Sequence, residues 1–209
     1  MKLYDADFAP SPRRVRIFLA EKGIEVPTVK VDLRNREQLG EEFHKVNPWC
    51  TVPALELDDG TRLSEIPVIS LYFEQLHPEP PLIGTDAKDR ALVMMWDRHM
   101  EQDGVAAVAE AFRNSHPAFK DRALTGPHDV AQIPELAERG RKRYGWYLEA
   151  LDRRLADAEF VAGERYTIAD ITALAAVDFA RAVKVGDIDG HANVQRWYDK
   201  VSSRPSAKA

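Results

Sequence analysis

The hydrophobic rhythm of this chain changes once, at His77-Pro78-Glu79-Pro80-Pro81. Prolines at 78, 80 and 81 can neither continue a helix nor enter the middle of a sheet, so the segment is a stiff connector between two differently built parts. Before it, strand and helix periods alternate. Lys2-Leu3-Tyr4-Asp5 is short and extended, and Val15, Phe18 and Leu19 share a helix face that stops at Gly23. Val26 to Val31 reads as a β-branched strand and Glu37 to Val46 as a polar, exposed helix. Ala54 to Leu57 and Thr61 to Leu63 flank Asp58-Asp59-Gly60 as a hairpin, and Ile69, Tyr72, Phe73 and Leu76 form a buried helical stripe. After the prolines only helical periods remain: Asp86 to Ser115, Ile133 to Ala158, Thr167 to Arg181 and Val194 to Ser202, with the longest loop between His116 and Ile133. The expected organisation is an α/β domain ordered βαβαββα over residues 1–80, a linker over 81–87 and an all-α domain over 88–209. The first βαβ unit requires a parallel pair with a right-handed crossover, and the hairpin adds antiparallel strands.

Composition narrows the function classes. With 29 basic against 34 acidic residues the formal charge is −5, which supplies no excess of cations for a dedicated nucleic-acid binder. No apolar run approaches the ~18 residues of a membrane span, and Met1 to Asp5 leads into a strand without a secretory signal. The single cysteine, Cys50, permits no internal disulfide and no multi-thiolate metal centre, consistent with a cytoplasmic location. No metal site is expected, since no histidine pair has ligand spacing with a carboxylate. Gly140 and Gly145 have phosphate-loop spacing, but Trp146-Tyr147 stands where Lys and Ser or Thr are needed. There is no Gly-x-Gly fingerprint and no Gly-x-Ser-x-Gly elbow. His99 and Asp103, four apart on one helix face, read as a solvated pair.

Thr167-Ile168-Ala169-Asp170 has capping-box spacing with Asp in place of Glu, and Tyr166 and Ile171 occupy staple positions. Chemistry is concentrated in three loops of the first half. In Phe8 to Arg14, Ser11-Pro12 places a hydroxyl at a helix N-cap, with Arg13 and Arg14 in the first turn, an environment that favours an anion such as a thiolate. In Asn47 to Ala54, Val52-Pro53 at a strand start is either an edge device or the seat of a cis bond that turns the Val52 backbone outward. In Leu63-Ser64-Glu65-Ile66-Pro67, Glu65 complements a helix dipole or binds an ammonium group.

Taken together these segments resemble the glutathione S-transferases, most of all their bacterial, theta- or nu-like cytosolic members. The resemblance rests on Ser-Pro-Arg-Arg-Val-Arg-Ile-Phe-Leu-Ala-Glu-Lys-Gly at 11–23, Asn47-Pro48 followed by Val52-Pro53, and Leu63-Ser64-Glu65 leading to Ile69 and Tyr72. It continues through Thr167 to Asp170 and Arg196-Trp197-Tyr198 to Arg204-Pro205-Ser206, covering nearly the whole chain. It implies a thioredoxin-like first domain, a helical second domain and a homodimer, with glutathione as co-substrate and no other cofactor. Val52, beside a cis Pro53, would pair with the cysteinyl part of glutathione, and Glu65 and the N–H of Ile66 would hold its γ-glutamyl end. Ser11 would donate to the sulfur, with Tyr4 as a second candidate. Phe8, Met95, His99, Met100 and Phe112 would line a pocket for a small hydrophobic electrophile. Cys50 lies near the glycyl end, either as a packing residue or as a partner for a mixed disulfide.

Two positions depart from the family pattern. Ala9 stands where many members carry the catalytic hydroxyl, and Ile66 replaces a Ser or Thr, which predicts weaker glutathione binding. Three readings follow: a glutathione transferase, a glutathione-dependent thiol–disulfide or peroxide reductase, and a non-catalytic scaffold of the same fold.

Overall fold

The computed structural model describes residues 1–209. Strands β1 (Lys2–Asp5), β2 (Thr28–Lys30), β3 (Ala54–Glu56) and β4 (Arg62–Ser64) form one sheet in the order β2-β1-β3-β4. β1 and β2 pair parallel and β3 and β4 antiparallel, as the sequence pattern requires, and β1 also pairs antiparallel with β3, which joins the two units into one sheet. Helices α1 (Pro10–Glu21), α2 (Glu41–Val46) and α3 (Ile66–Leu76) complete this half. The polar helix expected over 37–46 is divided into a 3-10 turn, Glu37–Leu39, and the short α2, and Leu76 at the fraying end of α3 is exposed.

Helix α1 begins two residues earlier than expected, at Pro10 and not Pro12. Its N-cap is Ala9, with Pro10 opening the first turn, so Ser11 lies inside the helix. At the other end Gly23 adopts φ 64°, and bonds from Ile24 N–H to the Leu19 carbonyl (3.0 Å) and from Gly23 N–H to the Ala20 carbonyl (3.1 Å) make a Schellman stop.

The second half contains α4 (Ala87–His99), α5 (Ala106–Arg113), α6 (Pro134–Ala156), α7 (Ile168–Ala182) and α8 (Ala192–Ser202), with 3-10 turns at Pro117–Phe119 and Pro205–Lys208. A π-helical turn, Met100–Val105, joins α4 to α5. Gly104 in that turn lies so close to α6 and α7 that a Cβ would sit 2.9 Å from the Tyr147 ring and 3.1 Å from Ala176. The capping box forms: the Asp170 carboxylate accepts from Thr167 N–H (2.9 Å) and Thr167 Oγ1 (3.2 Å). It also accepts from Val161 N–H and Trp197 Nε1, each at 2.9 Å, so one buried side chain ties three segments together.

A continuous core runs through both halves, from Leu3, Phe18 and Phe73 to Val105, Tyr147 and Leu174. Polar ties reinforce it. The buried Lys22 ammonium pairs with Glu74 (2.6 Å) and donates to the carbonyls of His77 and Pro80, both at 2.7 Å, holding the proline segment against α1. Arg13 reaches Asp178 (2.7 Å) and the Ala207 carbonyl (2.9 Å), while Glu21 pairs with Arg204 (2.6 Å). Both ends of α1 are thus bonded to the helical half.

Candidate active site

The strand register decides which loops meet. Tyr4 pairs with Ala54 and Ala54 with Ser64, so the chain leaving β1, the chain entering β3 and the chain leaving β4 emerge at the same end of the sheet. Parallel pairing of Asp5 with Lys30 brings the exit of β2 to that end as well. Four residues at these exits hold left-handed backbones uncommon outside glycine: Phe8 (φ 62°), Arg36 (φ 62°), Cys50 (φ 55°) and Glu65 (φ 71°). Such outliers cluster where a fold has to aim groups at a ligand.

Ser11 is half-buried in the first turn of α1. Because Pro10 and Pro12 carry no N–H and Arg13 N–H bonds to the Ala9 carbonyl (3.3 Å), Ser11 supplies both open donors of that turn. Its Oγ accepts from Arg14 Nη2 at 3.2 Å, which leaves its own O–H free to donate. Arg14 is only 2% exposed and pairs with Glu101 at 3.2 Å. Beneath it, buried Asp97 accepts from Thr172 Oγ1 at 2.6 Å, and burial pushes its carboxyl up to about 6 against the pull of Thr172 and Arg14. Of the two first-turn arginines, only Arg14 serves Ser11, since Arg13 turns away to Asp178.

The Val52–Pro53 bond is cis, and neither polar group of the Val52 backbone has a partner within the chain. Glu65 is exposed, with its carboxylate engaged in no ion pair. The Ile66 side chain packs into the core, which leaves its N–H at the open N-terminus of α3. Ser11, Val52, Glu65 and Ile66 therefore present unpaired polar groups at one end of the sheet. Tyr4 does not join them: its hydroxyl faces Glu56 at 3.4 Å and its ring packs edge-on against Phe43.

The other expected contacts are placed differently. Cys50 is enclosed beneath its loop, its sulfur 3.4 Å from His44 Nδ1, and burial raises the thiol so that it stays protonated. The residues expected to line an electrophile pocket are not assembled into one. Phe8 is 88% exposed with the Arg34 guanidinium over its ring, and Met100 is in the core. His99 and Met95 face solvent, His99 paired with Asp103 at 3.3 Å. Phe112 packs edge-on against Phe119 and Phe179 and at a tilt against His116. Among these residues the π-helical turn bears on Phe112 alone, because its i→i+5 bonding inserts a residue and rotates the faces that follow it.

Two features were not visible in the sequence. One is the path from Ser11 through Arg14 to Glu101, which joins residues on different helices. The other is what holds the expected loop over 117–131: the Arg113 guanidinium, which donates to the carbonyls of Arg122 (2.6 Å), Ala123 (3.2 Å) and Leu124.

Comparison with known proteins bears on the family and the fold. The family profile for the glutathione S-transferase N-terminal domain matches residues 8–76, and that for the C-terminal domain matches residues 117–205. Glutathione S-transferase 2 of Saccharomyces cerevisiae is 32% identical over 211 residues, spanning 100% of this chain and 88% of the relative. The chain belongs to the glutathione S-transferase family. Solved structures of the family superpose along its whole length. The Saccharomyces cerevisiae Gtt2 structure has a TM-score of 0.92 at 31% identity, covering 100% of this chain and 99% of the other. A glutathione S-transferase domain-containing protein of Marinobacter aquaeolei VT8 has a TM-score of 0.89 at 35% identity, with 99% of both chains covered. The fold is accordingly a thioredoxin-like sheet and helices followed by a helical C-terminal domain. No helix is long and apolar enough to cross a membrane.

Proposed function

We propose that this glutathione S-transferase family member binds glutathione along the Val52 backbone and transfers its sulfur, as a thiolate, to a small electrophile. The observation that carries this reading is the set of unpaired groups at Ser11, Val52, Glu65 and Ile66. An extended tripeptide satisfies the Val52 N–H and carbonyl as an added strand would. Glu65 meets the γ-glutamyl ammonium, and the Ile66 N–H, at the positive end of α3, meets the adjoining carboxylate. Ser11 then donates its O–H to sulfur. Ionisation of the thiol and proximity of two bound substrates supply the acceleration.

Conjugation is favoured over disulfide or peroxide reduction because a serine stands at the head of α1 and the only cysteine is buried and protonated. The homodimer expected of this family would use exposed apolar side chains, with Val68 on α3 and Leu92, Met94 and Met95 on α4 as its candidates. Sedimentation of the wild type beside Leu92→Glu tests that face.

Calorimetric titration with glutathione, followed by turnover of chlorodinitrobenzene, tests the main reading. Glu65→Ala should raise the glutathione KM about tenfold, the loss of a charge-assisted hydrogen bond worth ~1.5 kcal/mol. Binding without turnover would instead support a scaffold role.

A further inference from the structure

A cleft of about 450 Å³ is lined by Arg36, Lys120, Asp121, Arg122, Asp129 and Ala131. That volume is within the usual range for small-molecule sites. Arg36 comes from the exit of β2, at the same end of the sheet as Ser11 and Val52, and the other five come from the 117–131 loop. The two walls belong to different halves of the molecule. Near Gly126, where a Cβ would stand 3.5 Å from the Trp49 carbonyl, the loop also touches the segment that enters β3.

The charges in this cleft are not spent on one another. None of Arg36, Lys120 and Arg122 forms an ion pair or a side-chain hydrogen bond, although Asp121 and Asp129 share the lining. Three cations face two carboxylates, and the Arg122 guanidinium is held below its ordinary range by burial and by Arg36 opposite, with Asp129 opposing. The loop that carries Lys120 and Arg122 is fastened from behind. Arg113 caps its carbonyls, Gln132 donates to the carbonyls of Arg113 (2.7 Å) and His116 (2.9 Å), and Asn114 accepts from Ile133 N–H (3.0 Å). Arg122 lies over the Phe119 ring at 6.0 Å, and Phe119 packs on Phe112. Apolar surface therefore adjoins the cations.

We propose that this cleft binds the carboxylate of the acceptor substrate through Arg36, Arg122 and Lys120, so that the preferred electrophile is a small organic acid. This rests on the transferase reading and refines it, replacing the expected purely hydrophobic pocket with one that has a cationic wall. An anion bridging Arg36 and Arg122 relieves their mutual repulsion, which is where its binding energy comes from. A planar Arg fork suits a carboxylate better than a halide or a neutral nitro group.

The test compares a chlorodinitrobenzoate with its uncharged methyl ester, both offered with glutathione to the full-length protein. In each, the thiolate attacks the chlorine-bearing ring carbon, the C–S bond forms, the C–Cl bond breaks, and chloride leaves with its electron pair. The quantity read is the ratio of kcat/KM for the benzoate to that for the ester. The wild type should favour the benzoate, and added salt should reduce the ratio. Arg36→Gln and Arg122→Gln should each lower it about fivefold, the factor corresponding to ~1 kcal/mol. Asp129→Asn should raise it, an outcome that loss of folding cannot imitate. A ratio that is the same in all these proteins overturns the inference while leaving the transferase reading intact. The same holds if the arginine variants raise only the glutathione KM, since the cations would then serve glutathione. If neither compound turns over, the transferase reading fails, and equilibrium dialysis of the benzoate decides the cleft separately: retention by the wild type and loss in Arg36→Gln/Arg122→Gln supports it, and equal retention overturns it.

Discussion

Replacing Ser11 by alanine removes one hydroxyl from the first turn of α1 and touches little else. The hydroxyl accepts from Arg14 at 3.2 Å and has its own proton free, so in the proposed glutathione complex it would be a single donor aimed at a developing charge. A hydrogen bond to a charged acceptor is worth about 1.5–3 kcal/mol, which at ~1.4 kcal/mol per unit is about 1–2 units of thiol pKa. The Ser11 N–H and the helix dipole survive in the variant and retain about 0.3–1 kcal/mol, less than one unit. From a free thiol near ~8.5, the wild-type complex is expected to titrate at about 6.5 and Ser11→Ala at about 8. Ultraviolet absorbance of the bound thiolate, followed across pH, reads this directly, and kcat/KM near neutral pH should fall about tenfold in parallel. Arg14→Met should shift the titration in the same direction by a smaller amount, because the hydroxyl loses the donor that polarises it. A Ser11→Ala complex that titrates with the wild type would refute the assignment of the donor, whatever the enzyme's activity.

Three further outcomes follow from buried groups. Asp97 is more easily protonated folded, at about 6, than in the unfolded chain, so its ionisation costs stability as pH rises from about 4 through about 6, by about 3 kcal/mol in all. Asp97→Asn should therefore gain on the wild type across that window in urea denaturation, and a difference that stays constant with pH would contradict it. Asp170→Asn keeps the shape but turns a donor toward Thr167 or Trp197, which should cost about 1–3 kcal/mol and lower the urea midpoint. On α6, Gly140→Ala would press a Cβ to 2.6 Å from Ala111 N and 2.7 Å from the Ala107 carbonyl, whereas Gly145→Ala meets nothing within 4 Å. The first should destabilise by about 1–3 kcal/mol and the second stabilise by up to about 1 kcal/mol, which thermal melts of the pair will show.

Local signals in the sequence were read correctly and long-range ones were not. The parallel β1–β2 pair and the β3–β4 hairpin followed from periodicity and from the Asp58-Asp59-Gly60 turn, the β1–β3 pairing that orders the sheet did not, and the Thr167–Asp170 box was legible because its partners are three residues apart. The bonds that make Asp170 a hub join residues 9 and 27 positions away, for which no spacing rule exists. Prolines at both 10 and 12 left the start of α1 ambiguous by two residues, enough to turn an expected cap into a first-turn donor. Nothing in Met100–Val105 announces a π-helical turn. It arises where Gly104 admits Tyr147 and Ala176, and it changes the helix face on which Phe112 falls. The cationic cleft is a meeting of position 36 with positions 120–131 and so exists only after folding.

The anchoring of α1 at Arg13 and Glu21 governs how such a catalyst could move. A hinge between the halves would have to rupture bonds at both tips of the same rod while wetting Val15 and Phe18 along its flank. The separation between Ser11 and the cleft proposed for the acceptor would then be fixed during folding and would not wait for substrate. Traffic in and out has to pass through side-chain rearrangement at the rim, and severing the chain at the proline connector should yield two insoluble fragments instead of two working modules.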